Sequence, residues 1–529
     1  TFTKIISKMK TKNLIERLCL FLLALVLTMP TWAQGGSGNE SETITIASKA
    51  DWKTFCNRVN SGQTTLNAKL TKDVDLGSDI VMAGTLDPNS PGYDFLYYTG
   101  TFDGQGHTLS FNWNAGKDDK IAPFWCVKDA TIKNLRTQGK ITTKGDYLSG
   151  MVRTAFGTTT LTGCISDVDI TGGGDSGWNN SKAAGMVQAV ASGASVHITD
   201  CLVKGSITDN ADESDRAMAG FVFYNGGTYT LTRCLYVGTN NATNNGLCYT
   251  FGTEKGISAT FTDCYYLNTC GKAQGDKITE AQLRNGYVAY KLQKGRESQV
   301  WGQTLGTDNE PQLTADAAKK VCKVDFAYKN NVRATRYANS GKGIHGGLPT
   351  AEELLGTGYN PKMTYALNFV NFTANTPVTE DKSVDVTVTG TFDIASKEDW
   401  KAFCDLVNDG QNAVDAKMTA DVDLGTEILM VGYDKRYSGT FDGQGHTLKF
   451  DWNAGEDNKI APFRRVKDAT IRNLRTQGKI TTKSSGLSGM VYAALGTTTL
   501  TGCISDVDIT GGSGRNASKA AGMLQTVAP

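Results

Sequence analysis

The feature that most restricts this chain is a five-residue pattern that returns about once every thirty residues: apolar, threonine, any residue, cysteine, apolar. It reads Leu161-Thr162-Gly163-Cys164-Ile165, then Ile198 to Leu202 around Cys201, Leu231 to Leu235 around Cys234, and Phe261 to Tyr265 around Cys264. Successive cysteines lie 37, 33 and 30 residues apart. Ile132-Lys133-Asn134-Leu135 precedes them by 30 as a variant with Asn134 in the cysteine's place, and Leu500 to Ile504 repeats the pattern around Cys503. A second strand-like segment opening on glycine lies ahead of most of these motifs, as in Gly150-Met151-Val152, Gly185-Met186-Val187 and Gly220-Phe221-Val222. Short β segments at this period, without helical periodicity between them, specify a β-solenoid whose rungs stack. Residues in one slot then form an interior ladder, and cysteine suits it because it is small and readily buried. Asn134, Cys164, Cys201, Cys234, Cys264 and Cys503 are the expected structural ladder.

A longer repeat encloses the short one. Asp51-Trp52-Lys53-Thr54-Phe55-Cys56 returns at Asp399 to Cys404, an offset of 348 at Trp52 and Trp400. Thr101-Phe102-Asp103-Gly104-Gln105-Gly106-His107-Thr108-Leu109 returns at Thr440 to Leu448, an offset of 339, so the first copy carries nine extra residues around Asp87 to Phe95. Each copy opens with a serine (Ser48, Ser396) three residues before an acid, an N-cap signal, followed by an apolar stripe such as Trp52, Phe55, Cys56 and Val59. A helix there would cover the open edge of the first rung.

The resulting division is 1–8, an upstream extension; 9–33, a secretory signal peptide; 34–43, a linker; 44–275, the first solenoid unit. A cap helix over Thr279 to Gln293 and a small β-rich module follow in 276–390, and 391–529 is a second unit ending inside its repeat. The leader has Lys10, Lys12 and Arg17 before the apolar run Leu18 to Met29, too short to span a membrane, with cleavage expected near Ala33.

Lysine plus arginine number 54 and aspartate plus glutamate 53, so no field favours nucleic acid or an anionic membrane. The 59 glycines fit turns between rungs. In an exported protein, buried free thiols are the expectation for the ladder, with bonds between neighbouring rungs the alternative. His107 and His446 in the duplicated Phe-Asp-Gly-Gln-Gly-His read as turn residues, with a general base as the rival reading. Asp73/Asp75, Asp421/Asp423, Asp167/Asp169 and Asp506/Asp508 pair carboxylates on one strand face. A solvated strand end before a turn is the favoured reading of these pairs; calcium, which needs six to eight oxygens, is an unsupported alternative, and no cofactor is expected. Acid pairs also serve glycoside hydrolysis when suitably spaced. Trp113, Trp125, Tyr97 and Tyr98, with Trp452 in the second copy, are candidate stacking surfaces for sugars, core packing being the favoured reading of each residue taken singly.

At Phe102 to Leu109, Ala184 to Thr208 and Ala219 to Cys234, the chain resembles GLUG-motif proteins. The resemblance implies an all-β, right-handed parallel β-helix with a short N-terminal capping helix and a small mixed α/β linker module. It implies a secreted or cell-surface, adhesin-like protein of Bacteroidetes-type bacteria, and carries over no catalytic residue. The expected role is adhesion, or glycan or host-protein binding, along an extended repeat face, with Trp113, Trp452, His107 and His446 as candidate contacts. Membrane contact is expected only through a C-terminal anchor. The rival class is an enzyme, a β-helix polysaccharide lyase or glycoside hydrolase, for which no catalytic constellation is recognisable in the sequence.

Overall fold

The computed structural model describes residues 42–88, 90, 94–174, 180–254, 258–512 and 519–528. The expected leader and its cleavage point lie outside these residues. The chain is mostly β, in two compact units divided after Asp276.

In the first unit, parallel sheets each take one strand per repeat, in chain order. The first sheet runs Thr43–Ile46, Asn67–Leu70, Thr101–Asp103, Thr131–Lys133, Thr158–Thr162, Ser195–Thr199, Thr228–Thr232 and Ala259–Thr262. The second includes Thr108–Asn114, Arg136–Thr142 and Ile165–Gly172, and the third Phe124–Lys128, Val152–Phe156, Val187–Val190 and Val222–Asn225. Alternation along each strand sends one set of side chains inward, so Ile132, Leu161, Ile198 and Leu231 stack in register within a continuous apolar core. Paired strands of successive repeats approach so closely that a Cβ on Gly139 would lie 1.9 Å from the Phe111 carbonyl oxygen, and one on Gly478 1.8 Å from that of Phe450.

The expected N-terminal helix is Lys49–Asn60, capped by Ser48, whose hydroxyl accepts from the Asp51 amide at 3.3 Å. Its stripe is buried as the spacing predicts, and Trp52 meets the rings of Phe102 and Phe124 at 5.9 and 5.8 Å. Lys397–Asn408 repeats this in the second copy, with Trp400 against Phe441 and Phe463.

The cysteine slot holds buried thiols, and one expected member falls outside it. Cys164, Cys201, Cys234 and Cys264 are buried free thiols, and each Sγ lies within 3.8 Å of a backbone carbonyl of the preceding repeat. Cys503 is half-buried at the last repeat described. Burial pushes the Cys201 and Cys234 thiols well up, away from reactive thiolate. Asn134 is not in this ladder. The pairing of Leu161 with Ile132 and Thr162 with Lys133 sets Leu135 opposite Cys164 and Asn134 opposite Gly163. Asn134 belongs to the turn column Gly163, Asp200, Arg233 and Asp263, all with φ between 51° and 65°. Asparagine tolerates this left-handed region, and its amide there donates to Asp103 at 3.2 Å.

The middle segment also departs from expectation. The helix expected over Thr279 to Gln293 is two helices, Glu280–Arg284 and Tyr287–Gln293, broken at Gly286 with φ +96°. The second packs through Ala289 on Val321 and Tyr337. These helices fall in the second unit, which begins at Lys277. Val321–Tyr328 and Asn331–Asn339 form a hairpin, and Val321–Tyr328 pairs in parallel with Lys382–Ile394. That thirteen-residue strand continues past 390 to pair with Asp415–Met418, so the module and the second copy share one sheet. The boundary read at 390/391 falls inside it, because a strand that serves both neighbours leaves no compositional break.

Candidate binding face and a second-copy cleft

The outward face of the first sheet is a grid. A Thr-x-Thr spacing puts both threonines outside and the intervening apolar residue inside. Register then aligns them across repeats. One column is Thr101, Thr131, Thr160, His197, Thr230 and Thr260, and a second is Thr162, Thr199, Thr232 and Thr262. A third, shorter column is Thr158, Ser195 and Thr228. From Thr158 to Thr262 the outward strand positions include no acid, lysine or arginine. Neighbouring rows hold one another: Thr228 Oγ1 donates to Ser195 Oγ at 3.1 Å, and His197 Nδ1 lies 3.0 Å from Thr230 Oγ1. The upstream rows are charged instead, with Lys133 Nζ 3.3 Å from Asp103.

Trp113 and Trp452 are not surface contacts; both are fully buried. They point inward on the second sheet and stack on Phe111 and Phe450, centroids 4.2 and 4.3 Å apart. Tyr98 is buried too. His107 and His446 are half-exposed and each gains an acid that sequence spacing did not place. Nδ1 lies 3.3 Å from Asp73 Oδ1 in one copy and 3.2 Å from Asp421 Oδ1 in the other. The same oxygens accept the Thr108 and Thr447 amides, and in the second copy that amide, then His446, hold Asp421 below the ordinary carboxylate range. The acid fixes the ring at the turn, and neither pair has a nucleophile among its bonded partners.

Other carboxylates are likewise engaged across repeats. Arg136 donates to Asp167 at 2.6 Å, and Asp169 accepts from the Ser206 amide and hydroxyl. Among the described residues, no group of three or more His, Cys, Asp or Glu is placed to hold a metal ion. Among the described residues, the carboxyl groups with clearly displaced pKa values are held low. At Asp103, burial pushes upward but is outweighed by the Gln105 amide, Asn134 and Lys133.

The third sheet carries the main difference between copies. In the first, the extra residues form a hairpin pairing Thr85–Leu86 with Phe95–Leu96. Phe95 meets Trp125 and Phe156 at 5.7 and 5.5 Å, and Tyr97 meets Phe156 at 4.7 Å. The Arg153 guanidinium lies 5.4 Å from the Trp125 ring and 5.8 Å from that of Tyr147. Trp125 and Tyr97 thus reach the surface half-buried, as anchors for the hairpin. The second copy lacks it, and Arg464 stands in place of Trp125 with its guanidinium 4.0 Å from the Tyr433 ring. There a cleft of about 420 Å³ opens, lined by Asp405, Asn408, Tyr433, Glu456, Asp457 and Arg464 among others.

Sequence reasoning named the threonine of each cysteine motif but not its partner two residues earlier, and so missed the grid. The signal was the alternation upstream of each motif. Phe95, Phe156, Arg153 and the second-copy cleft were also missed, since only register brings them together.

No family model matches the chain, and no curated protein matches it. Among solved structures it is similar to a Bacteroides ovatus protein described as a "putative immunoglobulin A1 protease", at 12% identity, covering 54% of this chain and 95% of that one, with a TM-score of 0.33. A likeness so remote transfers neither a site nor an activity.

Proposed function

We infer that this is an exported, cell-surface protein of two right-handed β-helix units, of the GLUG-motif kind, that binds glycans or host surface proteins. The observation that carries the reading is the uncharged, in-register hydroxyl grid on the first sheet. Many weak polar contacts on one rigid face sum to useful affinity without a deep pocket. The basic leader with its apolar core supports export. Arrays of glycans and matrix proteins probed with the full chain test this: binding lost on substituting the grid supports it, and no grid-dependent binding to any array member overturns it.

One observation favours an enzyme as the second reading. Three carboxylates, Asp405, Glu456 and Asp457, and the cation Arg464 line one cleft in the second copy. Release of reducing sugar from a polysaccharide panel, abolished by Asp457→Asn, would favour this reading. Grid-dependent binding without release favours the first.

A further inference from the structure

We propose that the hydroxyl grid takes the surface of packed polysaccharide chains rather than a single chain or a free oligosaccharide. This rests on the binding reading above and specifies its ligand. Three observations carry it.

The grid extends in two directions. Along a column, hydroxyls recur at the strand spacing of roughly 4.8 Å. Along a strand, Thr160 and Thr162, or Thr230 and Thr232, are two residues apart, roughly 6.6 Å. A single extended chain laid along one column leaves the others in water. A sheet of parallel chains, each presenting hydroxyls at a regular repeat, meets all three columns together. Affinity then grows with the number of columns engaged.

The face is also chemically uniform. From Thr158 to Thr262 its strand positions offer hydroxyls and one imidazole, without acid, lysine or arginine. Neutral hydroxyl-bearing polymers match this.

Finally, the side chains are already positioned. The threonines are β-branched and stiff at χ1, and the Thr228–Ser195 and His197–Thr230 contacts tie adjacent rows at 3.1 and 3.0 Å. Little side-chain entropy is left to lose on meeting an ordered surface, which is what a flat solid ligand demands.

The test compares the full chain on microcrystalline chitin and cellulose with the soluble hexasaccharides of the same sugars. Sedimentation gives the first affinity and calorimetry the second. At least about tenfold tighter binding to one of the solids is expected. The triple variant Thr162→Val/Thr199→Val/Thr232→Val keeps side-chain shape and strand preference while removing three hydroxyls, and is expected to lose about tenfold or more. Thr162→Ser/Thr199→Ser/Thr232→Ser is expected to retain most binding, and circular dichroism with thermal melting verifies that both variants fold. Equal affinity for solid and hexasaccharide overturns the packed-surface inference but leaves glycan binding standing. Unchanged binding by the folded valine variant overturns the grid as the site. Binding only to matrix proteins on the arrays, through the grid, overturns this inference and leaves the broader reading intact.

Discussion

The two copies of the repeat share their core aromatics and differ mainly around one sheet. Between 101–173 and 440–512 they differ at thirteen of 73 positions. Eight of these, at 125, 126, 145, 146, 147, 153, 154 and 156, lie on the third sheet or in the loop leading to it. The core aromatics Phe102, Phe111, Trp113 and Phe124 recur unchanged as Phe441, Phe450, Trp452 and Phe463. The changes are moreover coupled. The hairpin, Trp125 and Phe156 occur together in one copy; their replacements are a shorter loop, Arg464 and Leu495 in the other. A hairpin needs an apolar platform, and once it is gone a guanidinium can occupy that surface. Close packing holds the interior to one solution, whereas the third sheet's outer face can be rebuilt as a unit.

The comparison breaks most sharply at the buried tryptophans. Trp113→Ala and Trp452→Ala are each expected to destabilise their own copy by about 3–5 kcal/mol, read by denaturant unfolding with local hydrogen exchange. A sugar-stacking tryptophan on the surface would leave stability almost unchanged. The hairpin comes next. Trp125→Arg, which installs the second copy's residue, or Phe95→Ala is expected to cost about 1–2 kcal/mol through lost ring contacts. The loss should appear as proteolysis and exchange confined to the hairpin; protection unchanged there would mean the platform does not hold it.

A smaller asymmetry lies at the helix caps. Asp51 accepts from the Ala47 amide and the Ser48 hydroxyl, whereas Asp399 additionally binds Lys362 Nζ from the preceding module. Burial raises the Asp399 pKa, but Lys362 and the Ala395 amide outweigh it and hold the carboxyl below its ordinary range. Its contribution is therefore present above the unfolded pKa of about 3.9 and is lost as pH falls through the lower folded value. Asp399→Asn is expected to cost about 1 kcal/mol at neutral pH, with the gap from wild type closing in acid. A gap that does not narrow as pH falls below the unfolded value would assign the loss to something other than charge. The smallest effect concerns the grid: Thr199→Val should shift stability by less than about 0.5 kcal/mol, so any loss of binding there is separable from unfolding in melts of both variants.

Much of the repeat was legible because it rests on local pattern. Recurrence of Leu-Thr-x-Cys predicts which residue faces inward, and the serine-led apolar stripe predicts Lys49–Asn60 and Lys397–Asn408. The cysteines of the ladder follow from the same alternation. Asn134 was misplaced by one position, and in a strand one position exchanges interior for exterior or strand for turn. Core packing, the favoured reading of Trp113, holds, but its rival as a sugar contact stayed open for a related reason: alternation divides a strand into two sets without saying which faces the core.

The sequence by itself determined the period, the alternation, the helix caps and the predominance of β structure, since each depends on neighbours a few residues apart. Tertiary structure decided the rest. It put Leu135 rather than Asn134 opposite Cys164, turned Trp113 inward, gathered threonines tens of residues apart into columns, and ran one strand from the middle module into the second copy. Those outcomes depend on register between strands, which is set by the packing of the whole core and by no single stretch of chain.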